Sequence, residues 1–156
     1  MPIWKKILCA IDFSPPSRDA LLRAAELAAS SNAELLLLHV QEIPAVRAGL
    51  GMMSSPPEAP YETALGEAWK QLEHSGADAE AIAKARVPVQ MVRGPAPDEI
   101  VRVARENQVE LIVIGTHGRT GVKRAVLGSV AELVVRRAHC SVLVVRPEEP
   151  IAVTPD

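Results

Sequence analysis

Three glycines and a serine, Gly115, Gly118, Gly128 and Ser129, punctuate the stretch LIVIGTHGRTGVKRAVLGSVAELVVRR between Leu111 and Arg137. Their spacing is Gly115-x2-Gly118-x9-Gly128-Ser129. Glycine lets a backbone approach an anion closely and tolerates positive φ. Arg119, Lys123 and Arg124 lie in the same loop, with charges able to neutralise phosphate. An apolar run from Leu111 to Ile114 reads as a buried strand before the loop, and an apolar-periodic helix opens at Gly128-Ser129 after it. Strand, glycine loop and helix N-terminus is an arrangement that binds phosphate. First-turn N–H groups have no intrahelical partner and stand at the positive end of the macrodipole. Glycines alone serve as readily in turns, Ser129 alone is more often a helix cap, and the cations alone make a solvated basic loop. Their combination carries the reading. The loop is not a P-loop, because no Gly-Lys-Ser/Thr closes it. Nor is it the dinucleotide fingerprint, because Asp12-Phe13-Ser14, without glycine, follows the first strand.

The composition narrows the function classes. A chain of 156 residues fits one domain with a real core. Aromatics make up only 3%, so the core must be aliphatic, and base stacking on aromatic side chains is disfavoured. A net charge of −2 argues against a nucleic-acid footprint over the whole surface. No apolar run approaches the roughly 20 residues needed to span a bilayer. The start, MPIWKKILCAIDFS, lacks the plan of a signal peptide, since Asp12 follows a short apolar run. The expected location is the cytoplasm, with no membrane and no nucleic-acid partner. Cys9 and Cys140 read as buried free thiols.

The elements that must position the loop follow from periodicity. Lys6 to Ile11 and Glu34 to Val40 are nearly continuous apolar runs, as central parallel strands require. Between them a helix from Ser17 to about Ser30 buries Leu21, Ala24, Ala25 and Ala28, capped by Ser14 or Ser17. Residues 41–60 carry no periodicity and several prolines and glycines, the pattern of a lid, a binding loop or a mobile surface loop. A helix from Tyr61 to about Arg86 precedes an alternating run, Val87 to Arg93, whose Pro88 marks an edge strand. A short helix from Pro97 to Asn107 leads to the Leu111 strand. After the loop come a helix from Ser129 to about Ala138, inward through Val130, Leu133 and Val134, and a last strand from Ser141 to Arg146.

Alternating elements of this kind make an α/β fold: one five-stranded parallel sheet with helices on both faces. With the third strand at an edge, the order 3-2-1-4-5 places the switch point between strands one and four. Ligands of such sheets sit beyond the carboxyl ends of the strands there, next to Asp12 and Gly115. The last strand is apolar on both faces although it is an edge, so pairing with the same strand of a second subunit is expected. The domain spans residues 1–147, with the 41–60 loop inside it, and 148–156 form a frayed acidic tail.

The wording GTHGRTGVKRAVLGSVAE, the closing SVLVVRP, the opening KILCAIDFS and the LLLLHV strand resemble the universal stress protein family, over Ile3 to Pro147. The resemblance implies a Rossmann-like fold of the adenine nucleotide alpha hydrolase kind and a homodimer joined through strand 141–146. It also implies the branch of the family that binds ATP, because every glycine-motif position is kept. By position, Asp12 matches the acidic residue near the nucleoside, and Val40 the residue whose backbone meets the adenine edge. Ile114, Gly115, Gly118, Gly128, Ser129 and Val130 match the phosphate and ribose contacts. His117 and Arg119 lie where the loop wraps the phosphates, at positions that vary in the family. Mg2+ is expected to accompany the nucleotide, and no protein metal site is assigned.

Catalysis has little support in the sequence. Hydrolysis needs a base near the γ-phosphate, and only Asp12 and His117 are near the crevice. Asp12 reads better as a nucleoside or Mg2+ contact, and His117 as a bystander. His39, His74 and His139 have no zinc-ligand spacing. A receiver domain needs clustered carboxylates at strand ends, whereas the third strand ends in Arg93-Gly94. The leading expectation is a nucleotide-dependent regulatory or protective stress-response protein. The rivals are a slow ATPase or autokinase using the same site and a nucleotide-free scaffold.

Overall fold

The computed structural model describes residues 3–43, 58–117 and 127–147. Among them, five strands alternate with four helices. These are β1 (Lys6–Ile11), α1 (Pro15–Ser31), β2 (Glu34–Gln41), α2 (Glu58–Ala83), β3 (Val89–Arg93), α3 (Ala96–Glu106), β4 (Leu111–Gly115), α4 (Ser129–Arg137) and β5 (Ser141–Val145). All pairings are parallel and the order is β3-β2-β1-β4-β5, as the sequence predicts.

The apolar strands are central because both of their faces are covered. Ile7, Cys9, Leu35, Leu37, Leu111 and Val113 face α1 and α2. Leu8, Leu36, Leu38, Ile112 and Ile114 share the other core with α3 and α4 residues. Leu37 and Leu38 are neighbours in sequence yet both fully buried, one in each layer. Each such side chain contributes about 1.5–3 kcal/mol of burial. The alanines of α1 let that helix lie close against β1 and β4.

Several boundaries move. α1 starts at Pro15 rather than Ser17, since prolines fit the first helical positions, and Ser14 is the N-cap, accepting from the Ser17 N–H at 3.4 Å. α2 starts three residues before Tyr61 and stops at Ala83. β3 begins at Val89, because Pro88 has no N–H for the ladder; its carbonyl still accepts from the Leu37 N–H at 2.9 Å. α4 buries Ala131 and Val134, while Val130 and Leu133 are half-buried. β5 is the other edge and leaves Leu143 38% exposed. Cys9 and Cys140 are free thiols, as expected; Cys9 is buried and Cys140 half-buried. Burial pushes the Cys9 thiol far up, so it stays protonated. Most of the expected 41–60 loop lies outside the described residues.

Candidate functional site

The crevice forms where two neighbouring strands stop pairing. The register between β1 and β4 runs Ile7↔Leu111, Leu8↔Ile112 and Cys9↔Val113, short of the strand ends at Ile11 and Gly115. On the outer sides pairing continues, to Ile11↔His39 and to Gly115↔Val145. The carboxyl ends of β1 and β4 therefore separate at the switch point, each still held by its other neighbour.

The β1–α1 turn forms one wall. Asp12 Oδ1 accepts from the backbone N–H of Ser14 at 3.0 Å and from the Ser14 hydroxyl. Ser17 Oγ accepts from the Asp12 N–H at 3.3 Å and donates to the Ser14 carbonyl at 3.0 Å. Ser14 and Ser17 are buried, so this short polar network satisfies the start of α1 from within. Phe13 sits in the left-handed region at φ 65°. Bulky residues are rare there, and the strain costs about 1–3 kcal/mol.

The opposite wall is the β4–α4 neck. Ile114 and Thr116 are buried. A Cβ on Gly115 would lie 2.8 Å from the carbonyl carbon and oxygen of Pro16, so glycine here lets β4 meet the first turn of α1. Gly128 donates its N–H to the Thr116 carbonyl at 2.7 Å, and a Cβ there would meet that same oxygen at 2.7 Å. Gly128 has φ −59°, so close approach rather than unusual backbone conformation selects glycine. This bond closes the neck of the loop. Among the described residues no side chain caps α4: Gly128 is its N-cap, and Ser129 is exposed. The hydroxyl of Thr116 and Nε2 of His117 are buried polar atoms without a hydrogen-bond partner among the described residues. Such atoms are costly unless something else pairs them.

At the end of β2, Val40 is half-buried on the α3–α4 side and pairs with Val92. Thus Asp12, Ile114, Gly115, His117, Gly128, Ser129 and Val130 follow or end β1 and β4 or open α4 at the carboxyl end of the sheet, and Val40 lies near the end of β2, separated from β4 by β1. Gly118 and Arg119, with Lys123 and Arg124, lie outside the described residues. Sequence reasoning passed over Thr116, whose signal was a hydroxyl between two motif glycines. It also passed over His39 beyond excluding zinc, although a histidine within LLLLHV is unusual for a buried strand.

The model of the universal stress protein family matches residues 4–146. The chain belongs to the universal stress protein family. Universal stress protein A homolog 1 of Coxiella burnetii is 37% identical over 150 residues, covering 94% of this chain and 99% of that protein. The solved structure of universal stress protein MJ0577 of Methanocaldococcus jannaschii superposes with a TM-score of 0.76 at 29% identity, over 95% of this chain and 99% of that one. A universal stress protein solved in complex with cAMP has a TM-score of 0.68 at 26% identity, over 93% and 98% of the two chains. The universal stress protein fold thus holds here from β1 to β5, and the crevice falls within the matched region. Among the described residues no helix is long and apolar enough to cross a membrane.

Proposed function

We propose that this chain binds ATP in the β1–β4 crevice and acts as a cytoplasmic, dimeric, nucleotide-dependent regulatory or protective protein of the stress response. The observation that carries this reading is the pairing of an α4 N-terminus that no side chain among the described residues caps with two buried polar atoms, Thr116 Oγ1 and His117 Nε2, that have no partner among those residues. An anion there pairs groups that the described residues leave unpaired, and the helix dipole favours it. The cAMP complex of a relative in the same fold supports an adenine nucleotide as the ligand.

In this reading the phosphates lie against Gly115, His117, Gly118, Arg119, Gly128, Ser129 and Val130. The nucleoside lies toward Ile114, Asp12 and the end of β2, where the Val40 backbone meets the base. Gly128 keeps the α4 N-terminus open to the phosphates because it brings no side chain to cap it. Mg2+ accompanies the phosphates and supplies charge neutralisation. Asp12 Oδ1 is already engaged by the Ser14 N–H and hydroxyl, which suits a fixed polar contact better than a proton acceptor. No catalytic residue is assigned. The dimer uses β5, the edge that leaves Leu143 exposed.

The test is the nucleotide content of freshly purified protein, read by ion exchange after denaturation, with sedimentation of the native sample. Near-stoichiometric ATP in a dimer is expected. A monomer carrying no nucleotide, which takes up none when ATP is added, overturns the reading.

A further inference from the structure

His39 is a polar residue in the apolar strand β2, and only 5% of it is exposed. Its Nδ1 lies 2.8 Å from the carbonyl oxygen of Ile11, the last residue of β1. A carbonyl can only accept, so Nδ1 carries the proton and donates. Nε2 lies 3.4 Å from the side-chain amide oxygen of Gln41. The imidazole also packs on Phe13, with ring centroids 4.5 Å apart and planes inclined by 35°. Phe13 is the left-handed residue between Asp12 and Ser14. One side chain thus holds both the carbonyl that enters the Asp12 turn and the ring at its strained centre. It does so where β1 has lost its pairing with β4.

We propose that His39 is the positioning residue for the Asp12 turn, setting how Asp12 is presented to the nucleoside; this rests on the nucleotide-binding reading above. The Nδ1–H bond fixes the last peptide of β1, and the tilted imidazole packed on Phe13 keeps it left-handed. Together they keep Asp12 Oδ1 within reach of the Ser14 N–H. His39 reaches the nucleotide only through that turn.

Three variants separate the two contacts. His39→Asn keeps a donor and loses the aromatic face. His39→Phe keeps the face and loses the donor. His39→Ala loses both. Each is stripped of nucleotide and titrated with ATP, and the Ser14 amide is followed by NMR in the nucleotide-free protein. In His39→Ala, affinity is expected to fall on the order of tenfold, as for loss of a buried hydrogen bond. The Ser14 amide should also shift and exchange faster. His39→Asn and His39→Phe each restore part of both readouts. Phe13→Gly relieves the left-handed strain, so adding His39→Ala to it costs less affinity than in the wild-type background. A folded His39→Ala protein with wild-type affinity and an unchanged Ser14 amide overturns the proposal. If His39→Ala does not fold, wild-type readouts in both His39→Asn and His39→Phe overturn it equally. If the wild-type protein binds no ATP, the nucleotide reading fails, and the Ser14 amide alone decides the positioning role.

Discussion

The two turns at the switch point, after β1 and after β4, solve the same problem in opposite ways. Each delivers the chain from a central strand to a helix N-terminus that starts with unpaired N–H groups. The β1–α1 turn satisfies its own groups: Ser14 caps α1, Ser17 accepts from Asp12, and Asp12 accepts from Ser14. The β4–α4 turn leaves them open, with glycine at the cap and Thr116 Oγ1 and His117 Nε2 unpartnered among the described residues. A helix end completed by its own side chains contributes to stability. A helix end left open invites a ligand. Substitutions in the first turn should therefore be felt in folding, and substitutions in the second in binding.

The largest expected effect is at the open turn. Gly128→Val puts a side chain 2.7 Å from the Thr116 carbonyl and forces the neck apart. ATP binding by calorimetry should weaken by on the order of a hundredfold or more, as several charge-assisted contacts are lost together. Retained affinity in a folded variant would break the comparison. Next is Gly115→Val: although Gly115 ends β4, the valine side chain would run into the Pro16 backbone of the closed turn, so this change is felt in folding as well as in binding. Overpacking of this kind costs about 1–3 kcal/mol, and thermal unfolding should show a drop of roughly 2–4 °C per kcal/mol.

Two serines sharpen the contrast further. Ser129 is exposed and makes no cap, so Ser129→Ala should leave stability within about 0.5 kcal/mol. The same change should weaken ATP binding about tenfold, the worth of one charged hydrogen bond. Ser14→Ala should do the reverse at the smallest scale. Loss of the cap costs about 1 kcal/mol in denaturant unfolding, with an affinity loss smaller than that of His39→Ala, because the Ser14 N–H still holds Asp12 Oδ1. Equal effects of the two serine changes on both readouts would remove the distinction between the turns.

The sequence made most of this architecture legible because its signals are long-range in pattern and simple in cause. Apolar runs such as KILCAI and ELLLLHV call for cover on both faces, which a parallel sheet with helices on both sides supplies, and the edge character of the Pro88 strand then set the order and the switch point. Boundaries were less legible. Pro15 and Pro16 resemble a loop in isolation yet sit inside α1, because the first helical turn needs no donor there. The glycines were legible as a motif, but the reason for each was not. Gly115 faces the α1 backbone and Gly128 faces the Thr116 carbonyl, contacts set by tertiary approach rather than by neighbours in sequence. His39 and Phe13 were hidden for a related reason. Their meeting joins β2 to the turn after β1, and a turn with a left-handed phenylalanine carries no compositional signature.

Calorimetry on stripped protein with Mg-ATP and, in parallel, with adenosine tests whether the open α4 N-terminus is a phosphate site. Micromolar binding of ATP, with adenosine weaker by at least on the order of a hundredfold, is the predicted result, since the phosphates then supply several kcal/mol. Equal affinity for the two, or no heat with ATP, ADP, AMP and cyclic AMP, would contradict it and leave the open turn without a ligand.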